Sequence, residues 1–407
     1  MDAFSQDYVS RKFNEFYSNP STKIPAPSAI GEREFAFFLF KERIMVRHRS
    51  ASSLPGLRNL LCETSPSDVY YSCAYYENPE ADMDKKGWMG ADLVFDIDAD
   101  HIPTSCDKIH DEWTCGNCGF SGKGVTPEIC PACEGQKFDA RTWPCERCIG
   151  SSREETSKLL DMLEKDFGFS ENELRVFFSG HRGYHVHVET EGVRTLDAMA
   201  RKEIVDYVYG LGLTGLEEHK KKRREHPFSL HDFGWNKRIK KGIQKFILNA
   251  TEEELKSVGI KQNVKNILQN KETIANRYIE ENRWTLVKGV GPETWLKIAR
   301  HVKALESANV DTVVTTDIHR LIRMDGTLHG KTGLKKVEFP AKRLEDFDPF
   351  KEAVAFKEGK TKVSISCAPQ FRLGENTFGP YTDEKVELPT PAAVLLICKG
   401  RAEAVKD

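Results

Sequence analysis

The sequence predicts an α+β fold with mixed sheets, interrupted by a cysteine-rich insert and by a mainly helical insert. Helix and strand patterns follow one another without the regular alternation of a repeating βα fold. Cysteines crowd into residues 102–150, and the pattern is mostly helical from about residue 195 to 308. A length of 407 residues allows two or three domains.

The core elements follow from local patterns read in chain order. Apolar alternation indicates strands, and apolar residues three or four apart indicate helices. On this basis we predict a helix at 5–18, a strand hairpin at 31–48, a strand at 91–100, a serine-capped helix at 151–169, a strand–turn–strand at 174–189, a turn-rich β segment at 310–339, and further strands with a short helix in the tail.

Composition limits the setting of the protein. With 39% hydrophobic and 30% charged residues the chain has the make-up of a soluble globular protein. The formal net charge of −2 means that nucleic-acid binding must come from local basic patches. No signal peptide or membrane-spanning run is evident. We expect no membrane partner and no secretion, but a cytoplasmic or nuclear setting with reduced thiols.

The strand ADLVFDIDAD carries the clearest chemical signal. Strand residues two apart share a face, so the odd-numbered apolar residues can pack on a core. Neighbouring carboxylates on the other face repel one another, and a hard cation such as Mg²⁺ or Mn²⁺ would relieve the repulsion. Without a cation, the pattern would be only an exposed acidic face. The predicted acidic face comprises Asp92, Asp96, Asp98 and Asp100.

Two glycine-flanked basic segments are candidates for binding phosphate. In SGHRGYHVHV a hydroxyl, a guanidinium and backbone N–H groups fall in one turn, with a histidine on the next strand. In RLIRMDGTLHGKTGLKK cations alternate with glycines, which allow close approach to a triphosphate, although the spacing is not that of a P-loop. The acids Asp311 and Asp317 lie just upstream, and either can complete a metal site.

A charged run, EEHKKKRREH, occupies residues 217–226 of the helical insert. Such runs are most often solvated helix faces, and a template-contacting patch is the alternative.

The segments DLVFDID, SGHRGYHVHV and RLIRMDGTLHGKTGL, in this order, resemble the small catalytic subunit of archaeal and eukaryotic DNA primases. GEREFAFFLF and VELPTPAAVLL are also similar to that family. The resemblance implies a discontinuous primase catalytic core at residues 1–101, 151–213 and 301–407, a zinc-binding module at 102–150 and a helical subdomain at 214–300.

The resemblance also implies residue roles. Asp96 and Asp98 match the metal-binding aspartates, and the third is expected to be Asp311, with Asp317 as the alternative. Arg47 resembles a contact to the nucleotide sugar. The residues that match triphosphate ligands are Ser179, Arg182 and His185 in the first motif and Arg323, His329 and Lys331 in the second.

The function implied is template-directed synthesis of short RNA primers on single-stranded DNA, with DNA primers as an open second product. The implied cofactors are catalytic Mg²⁺ or Mn²⁺ with structural zinc, and the implied reaction is two-metal-ion nucleotidyl transfer from nucleoside triphosphates. The implied partners are the large primase subunit and a replicative polymerase or helicase. The alternatives are a repair or end-joining polymerase of the same superfamily and a non-enzymatic zinc-ribbon adaptor.

Paired cysteines two residues apart can chelate zinc in tetrahedral sites. Eight ligands suit two ions. We favour a nested arrangement, in which the inner four cysteines form one site and the flanking four residues form an outer site, as the primase resemblance also implies. The alternative divides the ligands sequentially, first four and last four. The eight are Cys106, His110, Cys115, Cys118, Cys130, Cys133, Cys145 and Cys148.

Overall fold

The computed structural model describes residues 1–102, 104–213, 233–261, 263–280 and 290–406. The charged run at 217–226 lies outside the described residues. The strands, numbered in chain order, are β1 Phe35–Phe38, β2 Met45–Arg49, β3 Asp68–Ser72, β4 Ala74–Tyr76, β5 Trp88–Ala91, β6 Leu93–Asp98, β7 Glu112–Cys115, β8 Ser121–Lys123, β9 Phe138–Arg141, β10 Leu174–Phe178, β11 Gly183–Val188, β12 Leu321–Arg323, β13 Val337–Phe339, β14 Lys360–Ala368, β15 Phe371–Leu373, β16 Asn376–Phe378, β17 Tyr381–Pro389 and β18 Ala402–Ala404.

The α-helices alternate irregularly with these strands, so the predicted α+β class is confirmed. They are α1 Ala3–Ser18, α2 Leu54–Thr64, α3 Asp107–His110, α4 Glu146–Lys165, α5 Glu191–Arg194, α6 Ala198–Val208, α7 Gly234–Asn249, α8 Glu252–Ser257, α9 Val264–Gln269, α10 Lys271–Glu280, α11 Pro292–Glu306, α12 Thr312–Thr316, α13 Pro349–Glu352 and α14 Thr390–Cys398. Within the described ranges, no helix is long and apolar enough to cross a bilayer.

The chain forms two compact units. The first comprises Met1–Ser157, Ser170–Lys202 and Val310–Asp407, and the second comprises Lys158–Phe169 and Glu203–Asn309. In the second unit, α7 packs against α10 and α11. Arg238 of α7 binds both Asp161 and Asp166 there, at 2.7 and 2.5 Å. The domain boundaries drawn from the sequence stay a prediction.

Two four-stranded sheets lie in the first unit, together with smaller sheets of two or three strands. The first sheet has the order β12-β3-β1-β2, and the second has the order β13-β10-β11-β6. β1 and β2 pair antiparallel, as do β10 and β11, which confirms the hairpin and the strand–turn–strand predicted from sequence. The second sheet sets β6 beside β11, so residues of the two sequence motifs become direct neighbours.

Three local predictions differ from the structure. The acidic strand ends at Asp98, and Ala99–His101 form a 3-10 turn, so Asp100 does not continue the strand face. Asp92 is buried and does not lie on an open acidic face. Helix α4 begins at Glu146 and not at the predicted serine cap, and its first turn contains Cys148, one of the clustered cysteines.

Buried apolar residues of β6 explain why this strand is well fixed. Leu93, Phe95 and Ile97 are no more than 1% exposed, as their alternation predicts. The strand start is held by an ion pair between Arg33 and Asp92 at 2.7 Å, with both side chains almost fully buried. The position of the acidic end of β6 is therefore determined by core packing on one side and by this ion pair at its base.

Candidate active site

Asp96 and Asp98 lie at the end of β6, beside the turn that opens β11. Asp96 is opposite His185 and Asp98 is opposite Gly183 in the antiparallel register. Directly opposed residues project to the same face of a sheet. The sequence motifs DLVFDID and SGHRGYHVHV therefore meet side by side at one edge of the second sheet.

Asp311 lies next to Asp96 and begins helix α12. Its backbone N–H donates to the Asp96 carbonyl at 2.8 Å, and its carboxylate caps the helix by accepting from Val313 and Val314. Burial, together with the charges of Asp98 and Asp311, raises the pKa of Asp96 to about 7. Asp317, the alternative third acid, instead accepts a hydrogen bond from the His319 backbone at 2.9 Å.

One set of oxygen and nitrogen ligands at this edge adds His181 to two acids of the predicted acidic face. Single ligand atoms of Asp98, Asp100 and His181 all lie within 4.8 Å of one another. Among the described residues, Asp96, Asp98 and Asp311 do not form such a set. Asp100 joins it because the 3-10 turn after β6 brings its backbone N–H onto Asp98 Oδ1 at 2.9 Å.

The turn between β10 and β11 is organised around Ser179. Its Oγ accepts hydrogen bonds from the backbone N–H groups of His181 and Gly183, at 3.3 and 3.2 Å. The hydroxyl therefore stabilises the turn through two internal hydrogen bonds, and Ser179 is only 6% exposed.

Gly183 is expected to tolerate no side chain. A Cβ there would lie 2.1 Å from the carbonyl oxygen of Ile97 and 2.9 Å from the Cα of Asp98. Gly183→Ala must therefore push β6 away from β11, and we expect a loss of at least about 2 kcal/mol of unfolding free energy. Urea denaturation measures it, and Gly150→Ala, with open space around its Cβ, is the control. Equal stability of the two variants would contradict the close approach.

His185 is held as a neutral imidazole beside Asp96. Its Nε2 lies 3.5 Å from Asp96 Oδ1, and burial with the nearby charges of Lys336 and Arg323 holds the pKa of His185 well below its usual value. A neutral ring can offer a hydrogen bond or a ligand nitrogen without adding charge.

Arg182 does not face the open side of the turn. Its guanidinium is 1% exposed and contacts Asp100 on one side and Asp111 on the other, the latter at 2.6 Å. Both contacts are charge-assisted, so its donors are directed at carboxylates of the chain itself. Its contact with a triphosphate stays a prediction.

The second basic segment is organised around Asp68 of β3. Arg323 donates to Asp68 Oδ1 at 2.6 Å, and the backbone N–H of Gly330 donates to the same oxygen at 2.9 Å. The His329 ring stacks on His181 with 5.1 Å between centroids, which joins the two basic segments. Lys331 is exposed beside them.

Three further cations at the site were given no role from the sequence. Lys399, just after α14, places Nζ 2.9 Å from His181 Nε2. Lys336 is 1% exposed and donates to the Arg323 carbonyl at 2.7 Å. Arg320 and Lys336 both act to lower the pKa of Asp96. The KK at the end of the second basic segment was the one available hint for Lys336.

Arg47 lies on β2 of the first sheet and pairs with a buried acid. Its Nε is 3.0 Å from Glu34 Oε1, and the Arg47 side chain is 37% exposed. Glu34 is also contacted by Lys86 at 3.3 Å. The structure gives Arg47 a structural partner, and its contact with a nucleotide sugar stays a prediction.

The cysteine-rich insert brings its eight candidate ligands together in two sets, and these are the sets of the nested arrangement. Sulfur atoms of Cys106, Cys145 and Cys148 lie 3.4–3.5 Å apart, and His110 Nε2 is 3.3 Å from Cys145 Sγ. The inner set comprises Cys115, Cys118, Cys130 and Cys133. All eight candidate ligands therefore fall into the two nested sets, and not into a first four and a last four.

Both cysteine sets fit a tetrahedral zinc ion. Thiolates about 2.3 Å from zinc are separated by nearly 4 Å, close to the separations seen here, and no disulfide joins the cysteines. In the inner set, Cys115 and Cys133 lie 3.6 Å apart, and Cys118 and Cys130 lie 3.8 Å apart. Four protein ligands leave no open position, which is typical of a structural site.

Carboxylates at a strand end, bordered by two basic turns that are rich in glycine, have the chemistry needed to hold a cation and a phosphate group together. A family model described as DNA primase small subunit matches residues 140–340. The chain is 32% identical over 400 residues to the DNA primase small subunit PriS of Cenarchaeum symbiosum (strain A), covering 97% of this chain and 98% of the relative. It is 33% identical over 432 residues to the DNA primase small subunit PriS of Methanothrix thermoacetophila, covering 99% of this chain and 100% of that relative.

The chain therefore belongs to the DNA primase small subunit family.

Proposed function

We propose that this protein is the catalytic subunit of a DNA primase and synthesises short RNA primers on a single-stranded DNA template. The observation that carries the proposal is the meeting of the β6 carboxylates with the two basic turns at one sheet edge. An adaptor that only binds nucleic acid has no use for acids and phosphate-binding turns in this combination. Family membership supports a nucleotidyltransferase of the primase type.

The carboxylates fit a hard divalent cation. Asp96, Asp98 and Asp311 offer oxygen ligands, which Mg²⁺ and Mn²⁺ prefer, and Asp100 and His181 add two more groups near Asp98. Burial, together with repulsion from Asp98 and Asp311, raises the pKa of Asp96, and a cation would relieve that repulsion. When bound, such ions supply activation of the attacking 3′-hydroxyl and charge neutralisation at the leaving pyrophosphate.

The basic turns supply the binding of the incoming triphosphate. The exposed ammonium of Lys331 and the ring of His329 lie together, with Lys399 and His181 beside them. Arg323 is directed by Asp68 and holds the turn that carries Gly330. In this proposal Ser179 and Arg323 shape the phosphate site, and Arg182, proposed as a triphosphate ligand, also supports the carboxylates. Arg47 is retained as the candidate contact to the sugar.

The two cysteine sets are proposed to hold two structural zinc ions. The proposed partners are single-stranded DNA, nucleoside triphosphates and the large primase subunit, with a replicative polymerase or helicase as a further contact. The names of the relatives, which describe small subunits, support a heterodimer with a large subunit.

The test is a synthesis assay on unprimed single-stranded DNA with nucleoside triphosphates and Mg²⁺ or Mn²⁺, with and without the large subunit. A primase makes new chains that begin with a triphosphate. Extension of annealed ends without synthesis on unprimed template would favour the repair polymerase, and DNA binding without pyrophosphate release would favour the adaptor. Separate ribonucleotide and deoxyribonucleotide reactions establish whether DNA is also a product.

Lys331→Met is expected to raise KM for the nucleoside triphosphate about tenfold or more with a smaller change in template affinity. A charged hydrogen bond contributes roughly 1.5–3 kcal/mol, and the exposed lysine has no packing role to confuse the result. Initial rates against nucleotide concentration measure the change. Lys342→Met, at another exposed lysine, is the matched control, and equal KM values for the two variants would contradict the assignment.

A further inference from the structure

A buried chain of contacts runs from the outer cysteine–histidine set to the acidic end of β6. Asp111 stands in the middle of it. Its Oδ1 lies 2.7 Å from His110 Nδ1, and its Oδ2 lies 2.6 Å from Arg182 Nη1. Arg182 in turn contacts Asp100, whose backbone N–H bonds Asp98. Every link between the two sites is therefore a direct side-chain or backbone contact.

The His110 end of this chain is arranged as in metal sites. His110 Nε2 faces the sulfur atoms of Cys145 and Cys148, at 3.3 and 3.6 Å, and Nδ1 faces Asp111. With zinc bound to Nε2, the proton would lie on Nδ1 and be donated to Asp111. A carboxylate in this position fixes the tautomer and orientation of a metal-bound histidine. Asp111 Oδ1 also accepts from the Trp143 backbone at 3.0 Å, so it has little freedom to turn.

The Arg182 end is equally restricted. The guanidinium also approaches Cys148 Sγ, at 3.8 Å, and the Arg182 carbonyl accepts from Ser152 Oγ at 2.9 Å. Its positive charge acts on Asp98 as well as on Asp100. A rigid planar fork between two carboxylates transmits position better than a flexible ammonium group. If Asp111 moves, Arg182 loses one of its two carboxylate partners, and the guanidinium that contacts Asp100 becomes less restricted.

We propose that Asp111 and Arg182 are positioning residues through which the outer zinc site sets the geometry of the Asp98–Asp100 carboxylates. The inference rests on the proposed function, because it assigns a cation to these carboxylates. It gives the zinc module a second task beyond local folding: a filled outer site orients His110, which orients Asp111, which holds Arg182 against the acidic turn.

The experiment compares Asp111→Asn with the wild type in the full chain, using two metal measurements. Zinc affinity is measured by competition with a chromophoric chelator. Mn²⁺ affinity at the acidic site is measured by electron paramagnetic resonance of free Mn²⁺, on zinc-loaded protein and without turnover. We expect zinc to be bound about tenfold more weakly and Mn²⁺ about fivefold or more weakly. Asp139→Asn, at an exposed carboxylate of β9 in the same module, should change neither affinity.

Two substitutions of Arg182 distinguish a coupling between the outer zinc site and the carboxylates from a general loss of structure. Arg182→Gln should weaken Mn²⁺ binding, and Arg182→Lys should restore part of it, since the charge returns but the fork does not. Unchanged Mn²⁺ affinity in zinc-loaded Asp111→Asn, or no difference between the two Arg182 variants, overturns the coupling. If the wild type itself binds no Mn²⁺, the proposed metal centre fails. A melting temperature within a few degrees of wild type shows that each variant is folded.

Discussion

Asp96→Asn is expected to reduce primer synthesis by about 10³-fold. The substitution keeps the shape of the side chain but removes a charge from the site proposed to hold the catalytic cation, and metal stabilisation of the transition state amounts to several kcal/mol. The rate of dinucleotide formation on unprimed template, with Mg²⁺ and separately with Mn²⁺, measures the loss. Binding of single-stranded DNA should change little, because the role assigned to Asp96 is chemical.

The control for this prediction also separates the two candidate third acids. Asp317→Asn should keep activity within about tenfold of wild type, because the Asp317 carboxylate accepts from the His319 backbone and an amide oxygen can replace it. Asp311→Asn should behave like Asp96→Asn. A variant of Asp96 that retains more than about a tenth of wild-type activity is incompatible with the proposed metal centre.

Arg33→Met is expected to destabilise the first unit by about 3–5 kcal/mol. The substitution leaves the Asp92 carboxylate, which is 1% exposed, buried without its cationic partner. Arg33 also donates to the carbonyls of Ser72 and Cys73, at 3.0 and 2.7 Å, and its guanidinium lies 3.6 Å from the Tyr75 ring centroid. The unfolding free energy in urea measures the effect. Arg11→Met, which breaks only an exposed ion pair with Asp7, should cost less than about 1 kcal/mol.

The unfolding free energy lost in Arg33→Met should depend on pH. Burial raises the pKa of Asp92 even with Arg33 present, and removal of Arg33 should raise it further. A carboxyl group whose pKa is raised by folding stabilises the folded state below its unfolded pKa, and this stability is lost as the pH rises through the folded pKa. The difference between wild type and Arg33→Met should therefore be smaller at about pH 5 than at about pH 7.5. A penalty that grows on acidification would contradict the stranded-carboxylate explanation.

Patterns that act over a few residues were predictable. Alternation in ADLVFDIDAD located β6 through Asp98, and the spacing of the cysteines indicated chelation before any geometry was known. Contacts between distant segments were not predictable. The pairing of Arg182 with Asp111 and the approach of Lys399 to His181 join residues 71 and 218 positions apart, and no periodicity encodes them.

The acidic pattern of β6 also gave a wrong prediction for its first aspartate, Asp92. Asp92 satisfies the same alternation as Asp96 and Asp98, yet it serves as the buried partner of Arg33. Sequence spacing gives the face of a strand but not what covers that face. Only the fold decides which acids of one row meet solvent and which meet an arginine.

The pairing of β7 with β9 has a consequence for protein engineering. Cys115 lies directly opposite Phe138, and the Gly116 N–H donates to the Lys137 carbonyl at 2.8 Å. The segment between β7 and β9, which contains three of the four inner cysteines, therefore begins and ends at adjacent points, about 5 Å apart as in any antiparallel ladder. The two ends of this segment are close enough for a short tight turn to join them, so the segment can be exchanged for such a turn or for a tag.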